Sequence, residues 1–133
     1  MAKIKVDGFD EIIKGLSSLD VDKMTDEMIQ AAEPVMIEKL TNHAKKHRDT
    51  GSMVNSIKST GVKQKNKGKY LVVRPTGTDG NGVRNMEKMA YLEYGTYKQA
   101  ATPVVTPAVK EAEATVESNM DRIFDSYMDK VSI

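Results

Sequence analysis

Two long stretches of apolar residues at helical spacing constrain the fold of this 133-residue chain more than any other feature. One runs over residues 22–47 and the other over residues 107–131. Each predicts an amphipathic helix of about 25 residues, which would be roughly 37 Å long. A domain of this size is expected to be about 36 Å wide, so each helix must cross the domain from end to end.

Between the two helices the sequence takes on the pattern of β-strands. Residues 57–64 and 69–74 flank an Asn-Lys-Gly turn at 66–68, and together they predict a β-hairpin. Residues 75–85 follow, with three glycines and no apolar side chain before Val83, which predicts a flexible surface loop.

Shorter elements are predicted on either side of this region. Residues 3–6 alternate polar and β-branched side chains as a short strand does, and residues 9–19 have the spacing of a helix of about three turns. Residues 86–94 predict a short helix that ends at Gly95, which is expected to adopt the left-handed conformation of a C-cap residue. The expected fold class is therefore α+β: a small antiparallel β-sheet packed against two long helices, in a single domain over residues 1–133.

Composition excludes several classes of protein. The 20 Lys and Arg residues nearly balance the 19 Asp and Glu residues, so a dedicated nucleic-acid binder is not indicated. No apolar run approaches the roughly 20 residues of a membrane span, and the first seven residues do not resemble a signal peptide. There is no cysteine for a disulfide or a thiolate metal site. These features predict a protein of the reducing cytoplasm that has no membrane partner.

The sequence offers no convincing catalytic or cofactor site. His43 and His47 lie four residues apart and could share a helical face, but the lysines between them disfavour a cation. The glycines at 77, 80 and 82 do not lead into the Lys-Ser/Thr and helix of a phosphate-binding loop. Carboxylates lack a neighbouring base. We therefore expect a protein without enzymatic activity, cofactor, metal or small-molecule substrate.

Lysines cluster in the predicted hairpin. Four of them alternate along the chain and could meet phosphates in series: Lys63, Lys65, Lys67 and Lys69. Lysines on an exposed strand edge also prevent unwanted strand pairing, and no aromatic residue for base stacking occurs before Tyr70. A small DNA-binding accessory protein that uses the segment from Lys58 to Lys69 remains the alternative function.

Two segments resemble motifs of a known family. The segment Thr-Gly-Ser-Met-Val-Asn-Ser-Ile at 50–57 is similar to a Thr-Gly-x-Leu-x-x-Ser-Ile pattern. The segment Glu-Tyr-Gly-Thr at 93–96, followed by prolines at 103 and 107, is similar to a Glu-Phe/Tyr-Gly-Thr and Pro-x-x-x-Pro-Ala pattern. Both patterns are found, in this order, in the tail-completion proteins of siphophages, which join the head and the tail of the virion. Val104 stands where that family often has Phe.

The resemblance implies a structural protein of the phage or prophage neck. Such a subunit would form a homo-oligomeric ring, with a hexamer favoured in the virion, and would contact neighbouring neck and tail-tube proteins and passing DNA. It would reside in the host bacterial cytoplasm during assembly and then in the neck or tail of the virion. The expected assembly residues are Thr50, Gly51, Ser52, Ile57, Glu93, Tyr94, Gly95, Thr96, Pro103 and Pro107.

Overall fold

The computed structural model describes residues 20–47, 51–66 and 68–130. The predicted strand at 3–6 and the predicted helix at 9–19 lie outside the described residues. The described elements, in chain order, are helix α1 (Val21–Ala44) with a 3-10 turn (Lys45–His47), α2 (Ser52–Asn55), β1 (Ile57–Ser59), β2 (Lys63–Lys65), β3 (Gly68–Tyr70), β4 (Val73–Pro75), α3 (Asn85–Tyr94) and α4 (Val105–Asp129). The α+β class and the two long helices are confirmed.

Helices α1 and α4 pack against each other in antiparallel directions. The side chain of Asp20 caps α1 by accepting a 3.0 Å hydrogen bond from the Lys23 amide. Near the end of α1, His43 Nε2 lies 3.0 Å from the carboxylate of Glu111, which is close to the start of α4. At the opposite end of the pair, burial and a hydrogen bond with Glu27 raise the pKa of Tyr127 to about 12.

The hydrophobic core lies at one end of this helix pair. Side chains from the end of α1, the start of α4, both short helices and β1 meet there. Alanines of the two long helices, at positions 44, 108 and 112, are almost completely buried. The core cluster consists of Leu40, Ala44, Met53, Val54, Ile57, Met89, Val104 and Ala108.

The predicted hairpin is present, but it is divided into two two-stranded antiparallel sheets. Strand β1 pairs with β4, and β2 pairs with β3. Between the sheets, Thr60 still hydrogen-bonds to Val72, whereas Gly61 and Val62 together lie opposite Leu71. Two residues facing one constitute a β-bulge, and Gly61 adopts the positive φ of 74° that this bend uses.

The loop predicted to be flexible, residues 75–85, is closed by hydrogen bonds centred on Asp79. Its carboxylate accepts from the amides of Asn81 and Val83, each at 2.9 Å, and forms an ion pair with Lys88 of α3. The ion pair with Lys88, followed by the hydrogen bond from the Val83 amide, lowers the pKa of Asp79. The turn therefore has a definite path that leads the chain from β4 into α3.

Candidate assembly surface

The first motif connects α2 to the start of α3. Gly51 precedes α2 with a left-handed backbone conformation (φ 85°), which favours glycine at this position. The Ser52 hydroxyl donates to Oδ1 of Asn85, and Nδ2 of Asn85 donates to the Thr76 carbonyl at 2.8 Å. Asn85 is only 2% exposed, and these two contacts satisfy its side-chain amide within the protein. Thr50 lies outside the described residues.

The remaining predicted residue of this motif is in the interior. Ile57 is a member of the core cluster, as are Met53 and Val54 of the preceding helix. The motif therefore contributes a backbone turn, a polar link and core side chains. Its apolar side chains cannot contact another protein while the subunit remains folded.

The second motif contains an unusual helix cap. The carboxylate of Glu93, at the end of α3, accepts hydrogen bonds from the amides of Val104 (2.9 Å), Val105 (2.7 Å) and Thr106 (3.2 Å). The hydroxyl of Thr106 also donates to it. These amides begin α4 and have no partner within the helix, and the next residue, Pro107, has no amide hydrogen to satisfy. One side chain thus caps the whole first turn of α4.

The ionised form of Glu93 is favoured by this arrangement. Burial alone would raise the pKa of the carboxyl group, but hydrogen bonds from the Thr106 hydroxyl and the three amides outweigh it and hold the pKa below its usual value. The positive end of the α4 dipole favours the negative charge in the same way. Glu93 therefore has a structural task, distinct from any contact made by its neighbour Tyr94.

Gly95 allows the chain to fold back immediately after α3. Its backbone has φ 77° and ψ 175°, a combination available essentially to glycine alone, rather than the left-handed cap that the sequence predicts. A Cβ atom at this position would lie 2.8 Å from the Ala101 nitrogen. The returning segment is held by a 2.8 Å hydrogen bond from the Thr102 amide to the Leu92 carbonyl.

The fold-back presents two tyrosines to solvent. Thr96 and Gln99 pair through their backbones, with Thr96 N donating to Gln99 O at 2.8 Å, and Tyr97 and Lys98 form the tip between them. Tyr94 is 83% exposed and Tyr97 is 93% exposed. The Lys98 ammonium lies 5.4 Å from the centre of the Tyr97 ring. We call the segment 94–98 the tyrosine turn.

Two predicted proline positions lie beyond this turn. Pro103 is exposed, whereas Pro107 is half-buried in the first turn of α4.

Helix α3 joins the two motifs, since the contact with Ser52 is at its first residue and the cap made by Glu93 is at its other end. Ten residues of helix separate these ends by about 15 Å.

The lysines of the hairpin do not form a single row. Lys63 and Lys65 are exposed, and Lys67 lies outside the described residues. In the register of β2 and β3, Lys69 pairs with Gln64, so it lies on the opposite face from Lys63 and Lys65. Its ammonium is 2.6 Å from Asp22 and 2.8 Å from Asp26 of α1. These two partners, Asp22 first, raise the pKa of Lys69.

Groups that could support chemistry are scattered. His43 contacts Glu111, as described above, and within residues 20–47, 51–66 and 68–130 no group of three or more His, Cys, Asp or Glu side chains could hold a metal ion. A shallow hollow between α1 and the hairpin contains the ion pairs of Lys69. In the same described ranges, no helix is both long and apolar enough to cross a membrane.

Comparisons with protein-family models, with curated proteins and with solved structures found no match to this chain. Three residues in or beside these segments were not identified from the sequence: Asn85 and Asp79, which make structural contacts, and Tyr97, which is exposed in the tyrosine turn. The Asp-Gly-Asn-Gly segment that starts at Asp79 is typical of turns in which the aspartate accepts backbone hydrogen bonds, and this signal could have identified it. The partners of Asn85 are distant in sequence, so no local pattern indicates them.

Proposed function

We propose that this chain is a structural subunit of the head-tail neck of a long-tailed phage or prophage, and that it forms a ring that completes the tail and joins it to the head. The support for this role is the order of the two motifs along the sequence. The copy number that we propose, a hexamer, comes from the same resemblance.

The observation that carries the choice of contact surface is the exposure of Tyr94 and Tyr97 on a constrained backbone. Tyrosine is enriched at the centres of protein interfaces because it offers a large contact area and loses little side-chain entropy on binding. The adjoining Gly95 turn and the cap made by Glu93 hold the backbone before binding, which reduces the entropy lost on association. We propose that the tyrosine turn contacts a neighbouring neck or tail-tube protein.

The test is electron microscopy of the particles made by a phage or prophage that lacks this gene, without and with the protein supplied from a plasmid. Without complementation we expect filled heads and separate tails. The wild-type protein should restore joined virions, whereas a Tyr94→Ala/Tyr97→Ala variant should remain folded by circular dichroism and fail to restore them. Val21→Ala is the control, because Val21 is an exposed apolar side chain at the start of α1, away from the tyrosine turn.

The outcomes separate the role from the surface. A normal yield of joined virions with the double variant would show that the tyrosine turn is not the contact. Intact virions from the deletion strain would refute the neck role, and the DNA-binding alternative would then become the leading one. Salt-dependent DNA binding by the isolated protein would support that alternative.

A further inference from the structure

The outward side of the hairpin carries positive charge that the described part of the molecule does not neutralise. Residues 57–75 contain six Lys and Arg residues and no Asp or Glu. Lys58 and Arg74 are directly opposite each other in the β1–β4 pair, and both are exposed. Like charges in this relation repel. Lys63 and Lys65 add to the same sign, and of the hairpin's described cations only Lys69 has an ion pair. We call Lys58, Lys63, Lys65 and Arg74 the basic face.

Helix α4 carries the opposite charge. It contains six Asp and Glu residues against two Lys and Arg residues, an excess of four negative charges. Four exposed carboxylates follow one another at intervals of four residues, so they form one ridge: Glu113, Glu117, Asp121 and Asp125. Like charges at this spacing also repel, and no ion pair within the described ranges involves any of the four. We call these residues the acidic ridge.

Helix α1 separates the two charged surfaces. It packs against α4 on one side and against β1, β3 and β4 on another. The basic face and the acidic ridge therefore cannot neutralise each other within a single copy. Two different, complementary surfaces on one chain allow a head-to-tail contact, and repetition of such a contact closes a ring when the rotation between copies is suitable.

We propose that the basic face of one copy docks on the acidic ridge of the next. The ridge extends about 18 Å along α4, and the hairpin from Lys58 to Lys65 has a similar reach of about 23 Å when extended. A nucleic acid would account for the basic face but would leave the acidic ridge without a partner. The contact rests on the proposed function in one respect: it is the subunit contact of the ring proposed above.

The test exchanges the charges of the two surfaces. One variant reverses the basic face (Lys58→Glu, Lys65→Glu, Arg74→Glu), and the other reverses the acidic ridge (Glu113→Lys, Glu117→Lys, Asp121→Lys). Sedimentation velocity at low salt should show self-association of the wild-type chain. The association constant should fall about tenfold or more when added salt shortens the Debye length from about 20 Å to about 4 Å. Each variant alone should self-associate at least about tenfold more weakly than the wild type. A mixture of the two should associate again, because each reversed surface then faces a complementary one.

A third variant controls for charge alone. Lys23→Glu, Lys46→Glu and Arg84→Glu change the same number of exposed cations outside both charged surfaces and outside the tyrosine turn, and we expect self-association within about twofold of the wild type. Failure of the mixture to associate, with both variants folded by circular dichroism, would overturn the contact. Undiminished self-association of the first variant together with loss of its binding to duplex DNA would also overturn it, in favour of a nucleic-acid partner.

The outcome of the charge-exchange experiment is independent of the outcome of the virion test. If the charge exchange fails while complementation restores joined virions, the neck role stands and the docking surface is wrong. If the charge exchange succeeds while the deletion strain makes intact virions, the contact between copies stands and the neck role is refuted.

Discussion

The two ends of the long helix pair are held together in different ways. At the packed end, where α1 finishes and α4 begins, Leu40, Met89 and Val104 are almost completely buried among small side chains and both short helices. At the open end, Met24 is buried outside the core cluster, and polar contacts such as those of Tyr127 and Lys69 predominate. Apolar packing is thus concentrated at one end, beside the tyrosine turn, whereas the hairpin contacts the start of α1 at the other end through Lys69.

The largest expected effect distinguishes the two ends with one kind of substitution. Met89→Ala should lower the free energy of unfolding by about 3 kcal/mol, because it leaves a cavity in the core. Met24→Ala removes the same atoms at the open end and should cost about half as much or less. Urea denaturation followed by circular dichroism measures both values. Equal losses would mean that the two ends are equally well packed.

A smaller effect is expected at the turn beside the packed end. Gly95→Ala should cost about 2 kcal/mol, because alanine resists this backbone conformation and its methyl group would press against the Ala101 nitrogen. Gly80→Ala is the matched control, because that position has no positive φ and nothing within 4 Å of the added carbon. The same urea titration should place it within about 0.5 kcal/mol of the wild type. A Gly95→Ala variant as stable as the control would contradict the described turn.

The smallest of the three effects concerns the cap of α4. Glu93→Gln should lower the free energy of unfolding by about 1–2 kcal/mol near neutral pH, because a neutral amide accepts the α4 hydrogen bonds less strongly. Glu38→Gln, an exposed site on α1, is the control.

The stability that Glu93 contributes should depend on pH. The pKa of Glu93 is lower in the folded protein, so the ionised carboxylate contributes its stability above the unfolded pKa of about 4.5, and this contribution is lost as the pH falls through the folded value. The difference in stability between the wild type and Glu93→Gln should therefore shrink as the pH is lowered from 6 to about 3. A difference that stays constant over that range would argue against the cap.

Periodicity alone predicted the long helices and the hairpin, because those patterns repeat over many residues. It could not place Lys69. The bulge at Gly61 inserts one residue into the first strand of the hairpin. Because side chains alternate between the two faces of a strand, this insertion turns Lys63 and Lys65 to the face opposite Lys69, which is on the second strand. The sequence grouped Lys69 with Lys63 and Lys65, although its side chain lies against Asp22 and Asp26.

The role of Glu93 was also beyond local sequence patterns. Its motif indicated an assembly residue, but its hydrogen-bond partners are amides 11 to 13 residues later, and only the fold-back at Gly95 brings them within reach. The same motif also identified Tyr94 as an assembly residue, and the exposed side chain of Tyr94 is available for contact. Neighbouring residues in one motif can thus serve the subunit and its surface separately.

The cap made by Glu93 also has a consequence for the order of folding. The contacts between α1 and α4 join residues 68 positions apart at His43 and Glu111 and 100 positions apart at Glu27 and Tyr127, so the chain must close a long loop before they form. The unit of α3, the tyrosine turn and the first turn of α4 needs only short-range contacts, and such contacts form faster than distant ones. We expect this unit to form an early nucleus, onto which α1 docks afterwards.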